Sequence, residues 1–387
     1  MTQSARASLD LAPSAAEQAL RAEARAWLEA NVPRAPLPSM DTEEGFARHR
    51  DWERTLHAGG WSVVAWPRAY GGRDADLFSW LAFEEEYYRS GAPLRVNQNG
   101  LFLLGPTLLE HGSPEQRERF LAPMAAGEEI WAQGWSEPDA GSDMASIRTR
   151  GRPAPDGDGL IVNGQKIWVS RGAYADWMFG LVRTDPESER HRGLTFVLVP
   201  LTADGVTVRP IRQLDGRAGF AEVFMDDVHV PAAQVVGAPG EGWAIAMATA
   251  GFERGLLLRS PGRFLAAAER LLELFARRGD RADARMRERV TRAWMNAEAH
   301  RLYALWTVSH VLEGGRVGSE ASLNKIFWSE LDIDLHETAL ELLDGDAELD
   351  SAWLDGYLFS LSGPIYAGTN QIQRNVIADR VLRLPRS

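Results

Sequence analysis

The 387-residue sequence contains no cysteine, which excludes disulfide scaffolds, thiolate metal sites and cysteine nucleophiles. Its eight histidines show no HExxH or comparable ligand spacing, so no protein-bound metal is expected. No run approaches the roughly 18 apolar residues of a membrane span, because arginine or aspartate breaks the longest candidates. The opening MTQSARASLD lacks the basic-then-apolar order of a secretory signal, and a cytoplasmic location is the default expectation. Positive charge is also in deficit. The formal net charge of −12 argues against a nucleic-acid or membrane-surface binder, since such proteins need excess cation to displace counterions. Among the basic residues lysine is nearly missing, with Lys166 and Lys325 the only two. Such an arginine surplus reads either as phosphate recognition or as biased coding composition.

What is present is an ordinary globular composition, 45% hydrophobic and long enough for two or three domains. Residues 14 to about 128 carry helical periodicity. Ser14 with Glu17 forms a capping box ahead of Leu20, Ala24, Trp27 and Leu28 on one helical face, and Ser113 with Gln116 repeats the device with Pro114 at the first helical position. The aromatics between Leu77 and Phe83 belong to this core-forming pattern. Between about 129 and 238 the period becomes alternating. The stretch LIVNGQKIWVS, Leu160 to Ser170, reads as a hairpin whose arms meet at Asn163-Gly164, and further strands are expected at Trp177 to Arg183, Leu194 to Leu201, Val206 to Leu214 and Glu222 to Val230. Helical periodicity returns near 243 to 278, 285 to 313, 319 to 343 and 369 to 382. The expectation is an α+β multidomain chain: an N-terminal helical domain (1–128), a middle β domain (129–238) and a C-terminal helical bundle (239–387).

Three stretches can carry chemistry. In GWSEPDAGSD, Ser136, Gly141 and Ser142 offer hydroxyls and unhindered N–H groups that suit phosphate or polar ring atoms, although a surface turn has the same composition. Trp168 and Ser170, two apart on a strand, share a face by simple alternation; that suits a flat heteroaromatic ligand, or equally a core tryptophan beside a serine. In AGTNQIQR, Thr369 opens a helix either as an anion site or as a plain N-cap.

In order and spacing these stretches resemble the acyl-CoA dehydrogenase family over nearly the whole chain. The family's Ser/Thr-Glu-Pro-x-x-Gly-Ser-Asp loop stands as Ser136 to Asp143, its Asn-Gly-x-Lys-x-Trp-x-Ser/Thr segment as Asn163 to Ser170, and its Tyr-x-Gly-Thr-x-x-Ile-Gln-Arg ending as Tyr366 to Arg374. The resemblance implies an N-terminal helical domain, a middle β domain and a C-terminal four-helix bundle with FAD between them. Position by position, it implies that Ser136, with backbone from Gln133 and Trp135, holds the isoalloxazine, and that Ser142 reaches the pyrophosphate, with Gly141 beside it in the cofactor-binding loop. Trp168 is then expected to flank the ring, Ser170 to bond flavin N5, and Thr369 and Gln371 to contact the dinucleotide.

The implied reaction is α,β-desaturation of an acyl thioester, in which a carboxylate removes the α proton. Many members carry that carboxylate between the Tyr and Gly of the ending, where this sequence has Ala367. Alanine accepts no proton, but its backbone N–H can donate to the thioester oxygen. A minority of the family, including the isovaleryl and long-chain enzymes, carries the base just before an arginine on the helix that opens the bundle; Glu253-Arg254 matches, making Glu253 the expected base and Arg254 its supporting cation. A plain solvated Glu-Arg pair is the bland alternative.

The chain is most similar in pattern to bacterial members acting on bulky CoA thioesters from sterol side chains or branched acids, several of them two-plus-two heterotetramers. Two departures bear on assembly. An Arg-x-x-Phe-Gly segment that reaches a neighbour's FAD in many homotetramers is replaced by RRGDRADARMR, Arg277 to Arg287, and a Gln-x-x-Gly-Gly motif stands as Glu341 to Gly345, where a carboxylate would repel a pyrophosphate. The resemblance implies a homo- or heterotetramer with an electron-transfer flavoprotein as acceptor. Rival readings are an acyl-carrier-protein dehydrogenase, a flavin-poor partner subunit, and the nucleic-acid-associated branch of the fold, which the net charge disfavours.

Overall fold

The computed structural model describes residues 13–255, 260–278, 283–315, 317–319, 321–349 and 351–385, without the side chains of 252–255, 260 and 351. Five helices come first: α1 (Ala15–Asn31), α2 (Glu43–Ala58), α3 (Leu77–Arg89), α4 (Gly105–His111) and α5 (Pro114–Ala125). Both capping boxes form: Ser14 Oγ accepts from Glu17 N while Glu17 returns a bond to Ser14 N, and Ser113 and Gln116 do the same at α5. Ala24 and Leu28 are buried, with Leu20 and Trp27 packed against the same cluster.

The middle of the chain is one eight-stranded sheet: β1 (Trp131–Gly134), β2 (Arg150–Pro153), β3 (Leu160–Ser170), β4 (Trp177–Arg183), β5 (Leu194–Pro200), β6 (Val206–Ile211), β7 (Phe220–Val230) and β8 (Val235–Val236). Its order is β6-β7-β3-β1-β4-β5-β8, with β2 pairing both β3 and β4. The hairpin expected at Asn163-Gly164 is absent, and β3 runs unbroken from Leu160 to Ser170. The physical reason is that β2 on one side and β7 on the other already pair its residues, so the two halves have no need of each other. Asn163-Gly164 instead forms a bulge, where the register against β7 shifts. Asn163 exchanges hydrogen bonds with Asp227, at 2.9 Å each way, and a Cβ at Gly164 would fall 2.5 Å from Thr149 Oγ1. A second shift, between Lys166 and Val169, coincides with Trp168 at φ +58. Strict alternation therefore does not carry from Trp168 to Ser170.

The C-terminal part holds α6 (Gly242–Gly255), α7 (Ser260–Arg278), α8 (Ala284–Leu312), α9 (Ala321–Leu343), α10 (Ser351–Ser360) and α11 (Asn370–Val376). Helices α7, α8 and α9 pack mutually, with α10 and α11 against α9. Small residues on α8, Ala293 and Ala297, meet Phe264, Leu271, Leu335 and Ala339 in the bundle core. A separate core joins all three parts of the chain: Trp66, Leu104 and Phe120 from the N-terminal part, Trp131, Phe179 and Phe196 from the sheet, and Ile245 and Ala246 from α6. Asn97 locks the entry to β1, accepting from Trp131 N at 2.9 Å and donating to Met124 O and Glu129 O at 3.0 Å. No helix among the described residues is long and apolar enough to cross a membrane.

His300 of α8 lies buried in the bundle, edge-on to Phe264, with Nδ1 2.9 Å from Asn324 Oδ1. Burial pushes its pKa down to about 4, partly opposed by the hydrogen bond to the Asn324 amide oxygen. The unfolded chain takes up a proton at this ring near its ordinary pKa and the native state does not, so the contribution is whole above about pH 6.5 and fades as pH falls toward 4. Urea midpoints measured from pH 7.5 to 4.5 are expected to fall more steeply in the parent than in His300→Gln. Identical slopes in the two proteins would remove His300 as the cause.

Candidate active site

The loop leaving β1 doubles back at Glu137-Pro138-Asp139-Ala140, where the N–H and C=O of Glu137 and Ala140 bond reciprocally at 3.0 Å. The Glu137 carboxylate is turned inward. It accepts from Lys166 Nζ at 2.8 Å, Arg148 N at 2.5 Å and Thr149 N at 3.0 Å. Lys166 is 1% exposed in its side chain and its ammonium is held below its ordinary pKa by burial, with Glu137 pulling the other way. For Glu137, burial opposes ionisation, but Lys166 and the amides outweigh it and hold the carboxyl below its usual range. Both ends of the loop are thus tied to β3, because Ser136 O also accepts from Ile167 N at 2.9 Å.

This arrangement brings together most of the residues singled out in the middle of the chain. Gln133 and Ser170 are register partners across β1 and β3. Trp135 lies edge-on to Phe179 and its buried indole N–H has no hydrogen-bond partner among the described residues. Trp168 is 55% exposed, an unusual exposure for tryptophan in a sheet, and lies edge-on to Phe220. Gly141 and Ser142 are exposed at the loop's far end, and a Cβ at Gly141 would meet nothing within 4 Å.

The C-terminal loop is held by a different set of partners. Tyr366 packs between Trp328 and Phe359, with ring centroids 5.8 and 6.3 Å away. Ala367 and Gly368 follow at φ +55 and +78. The Ala367 carbonyl accepts from Gln373 Nε2 at 3.0 Å, while its N–H has no acceptor among the described residues. Thr369 is an N-cap, its Oγ1 accepting from Ile372 N at 3.2 Å, and Gln371 is exposed. Asn370 is buried and fixed by Lys325 Nζ at 2.8 Å and by Ser329. Glu253 and Arg254 lie in α6, but their side chains fall outside the described residues. Of the altered segment Arg277 to Arg287, residues 279–282 also lie outside them. Glu341 is paired in its own chain, with Arg289 and, at 4.0 Å, Arg285. Among the described residues no cluster of three or more His, Asp or Glu is placed to hold a metal.

Sequence reasoning passed over Glu137, Lys166, Lys325 and Asn370 as individuals. A signal was available. In a chain whose cations are otherwise arginine, the only two lysines are both buried, and each bonds a residue inside one of the two loops.

A layer of helices, one eight-stranded sheet and a helical bundle, with a core joined across all three parts, define a three-part α+β protein. Family comparison gives that architecture its class. Models of the acyl-CoA dehydrogenase N-terminal, middle and C-terminal domains match residues 14–128, 132–228 and 240–382. The acyl-CoA dehydrogenase IpdE1 of Mycobacterium tuberculosis is 42% identical over 381 residues, covering 95% of this chain and 97% of that one. IpdE1 of Mycolicibacterium smegmatis is 40% identical over 95% of this chain and 98% of its own length. Among solved structures, a Tcur3481-Tcur3483 steroid ACAD superposes with TM-score 0.87 at 27% identity, covering 98% of this chain and all of that one. The ChsE4-ChsE5 complex from Mycobacterium tuberculosis gives 0.81 at 28% identity, covering 97% and 100%. The chain belongs to the acyl-CoA dehydrogenase family, oxidoreductases acting on CH–CH donors.

Removing one member of a buried ion pair leaves an uncompensated charge, which costs about 3–5 kcal/mol. Lys166→Met is expected to lose stability on that scale in urea denaturation. Adding Glu137→Gln to it is expected to recover part of the loss, and Lys166→Arg to fare poorly, because the larger planar fork needs donors satisfied that a single carboxylate oxygen cannot serve. A Lys166→Arg protein as stable as the parent would refute the claim that this slot requires a point donor.

Proposed function

We propose that the chain is an FAD-dependent dehydrogenase that desaturates the α,β bond of a bulky or branched acyl-CoA. The observation that carries this reading is the pairing of Gln133 with Ser170 across β1 and β3, which sets Ser170 and the exposed Trp168 beside the start of the Glu137-anchored loop, where Ser136 O accepts from Ile167 N. The residues fit a flavin dinucleotide on this chain's own evidence: the orphaned Trp135 N–H, the unobstructed Gly141 and an aromatic face left in solvent are what a polar, planar ligand would satisfy. Ser136, with the backbone of Gln133 and Trp135, would hold the ring, Trp168 would flank it and Ser170 would bond its N5. Gly141 and Ser142 would face the pyrophosphate, with Thr369 and Gln371 toward the rest of the dinucleotide. When bound, the flavin supplies the hydride acceptor for the substrate β carbon.

The chain's own part is proton and charge management. The Ala367 N–H, without an acceptor among the described residues, is held in a set direction by its left-handed backbone and by the Gln373 bond to its carbonyl. Donation from that N–H to the thioester oxygen would stabilise the enolate that develops as the α proton leaves. The proton would go to Glu253, with Arg254 beside it supporting the carboxylate. Ala367 itself contributes only a methyl group, which leaves room for a wide acyl group.

The Tcur3481-Tcur3483 neighbour, named a steroid ACAD, supports the bulky-acyl reading, and the paired names of that neighbour and of the ChsE4-ChsE5 complex support a heterotetramer. The internal pairing of Glu341 also favours an unlike partner, because that carboxylate is already committed to arginines of its own chain. An electron-transfer flavoprotein is the proposed acceptor. Anaerobic flavin bleaching across linear, branched and ring-bearing acyl-CoAs tests the substrate class, and carrier-protein thioesters in the same panel test the biosynthetic alternative. Bleaching only by short linear acyl-CoAs would overturn the bulky-substrate reading.

Glu253→Gln keeps the shape and removes the basic oxygen. Flavin uptake is expected to survive while substrate-dependent bleaching slows by about a hundred- to ten-thousandfold, the usual contribution of a placed general base. Bleaching at the parental rate would exclude Glu253 as the base. Combining Glu253→Gly with Ala367→Glu is expected to restore part of the rate and to shift preference toward slimmer acyl chains. The exchange adds no backbone penalty, since alanine and glutamate are both non-glycine residues at φ +55. Competition assays between linear and ring-bearing substrates read that shift directly.

A further inference from the structure

The strand end that presents Trp168 and Ser170 is turned by Arg171, a non-glycine residue at φ +67. Such a backbone persists only where its surroundings over-determine it. Arg171 N donates to Gly219 O at 2.9 Å, and its carbonyl accepts from Tyr174 N and Ala175 N at 3.1 and 3.0 Å. Its guanidinium donates to the carboxylate of Asp41, which lies just before the N-cap of α2. Asp41 does more than neutralise it. Its second oxygen accepts from Gln213 Nε2 at 3.4 Å and its carbonyl accepts from Ala218 N at 3.3 Å, so one residue of the N-terminal helical part grips the turn after β3 and the β6–β7 loop together. On its other side the same loop reaches the bundle, with Arg217 bonded to Asp355 of α10 at 3.1 Å. Space here is fully used: a Cβ at Gly219 would come within 2.6 to 2.7 Å of Gln213 Nε2 and the Asp41 carboxylate.

We propose that Asp41 and Arg171 form a positioning pair that sets the flavin-facing end of β3, a role that rests on the flavoenzyme reading above. Arg171 directly follows Ser170, and Phe220, the register partner of Ser170, directly follows Gly219. The β7 end that packs against Trp168 and the β3 end that carries Ser170 are therefore set by the same carboxylate. The pair is largely withdrawn from solvent, with side chains 24% and 19% exposed, so losing either partner strands a charge instead of releasing it to water. Burial holds the Arg171 guanidinium below its ordinary range, with Asp41 opposing. Neither residue need touch substrate for this role, which is to fix where two others stand.

The test uses the full-length protein with Asp41→Asn, Arg171→Gln, the double variant and Gly219→Ala. Each single charge variant is expected to weaken FAD binding about tenfold and to change the visible circular dichroism of the bound flavin, with the double variant no worse than the worse single. Gly219→Ala, which crowds the Asp41 carboxylate without altering charge, is expected to reproduce the spectral change. Arg171→Lys keeps a cation and the fold, and is expected to fall between the parent and Arg171→Gln. Parental affinity and spectra in all variants would overturn the proposal, and strictly additive effects would overturn the pairing. Hydrogen exchange of the Ala218 and Arg171 amides, followed in flavin-free protein, is expected to quicken in Asp41→Asn. If the parent takes up no FAD, the flavoenzyme reading fails and the positioning role falls with it, while faster exchange would still show that Asp41 holds the loop. Slower or equal exchange together with normal FAD uptake would count against the pair alone.

Discussion

A buried lysine and a buried glutamate, Lys166 and Glu137, are the contact on which the candidate site depends. Neither could be buried singly at acceptable cost, and together they are satisfied only if the loop from Ser136 to Thr149 closes back on β3. The pair therefore acts less as a source of net stability than as a specification of geometry. With Glu137 drawn inward, Ser136 O falls to Ile167 N, Ala140 packs into the core shared by the helices and sheet, and Gly141 and Ser142 are left outside where a ligand can reach them. What is proposed for Ser136, Gly141 and Ser142 follows from that one inward turn.

Much of the architecture was legible in the sequence because local chemistry and tertiary demand agreed. Ser14 and Ser113 cap helices as their patterns required, and β4 keeps the bounds expected for it, Trp177 to Arg183, as an apolar run buried on both faces. Disagreement arose where tertiary pairing overrode a local signal. Asn163-Gly164 has the composition of a tight turn, yet both flanking arms find partners in β2 and β7, and the glycine serves a bulge pressed against Thr149. Helix α10 escaped notice for another reason: SAWLDGYLFS is apolar on nearly all sides, so no periodicity announces it, and packing against α9 makes the helix. Strands β1 and β2, of four residues each, are too short for alternation to be seen.

The site residues were legible as motifs but not as a mechanism of assembly. Sequence places Gln133 far from Ser170, and only the register of β1 against β3 makes them neighbours. Three of the eight described non-glycine residues at positive φ, invisible to any sequence pattern, fall at these points: Trp168 and Arg171 flank Ser170, and Ala367 stands in the C-terminal loop, while the other five lie elsewhere. Each costs on the order of 1–2 kcal/mol, and the hydrogen bonds to Ser136, Gly219 and Gln373 are what hold the surrounding chain in place. Strain located at the same few residues as the candidate chemistry is the pattern expected of a site whose geometry matters more than its local comfort.

Ala367 sharpens that point. If this position served only to turn the chain, glycine would do so without strain, as Gly368 does one residue later at φ +78. An alanine here retains a Cβ and the left-handed conformation while giving up any titratable group. What survives at the position is then its backbone: a carbonyl tied to Gln373 and an N–H without an acceptor among the described residues. On the proposed reading, proton removal and oxyanion stabilisation are separable tasks. The first needs a carboxylate that can come from either side of the cleft. The second needs one peptide plane in one orientation, and Lys325 secures it indirectly by burying Asn370 three residues downstream and thereby fixing where the loop must end.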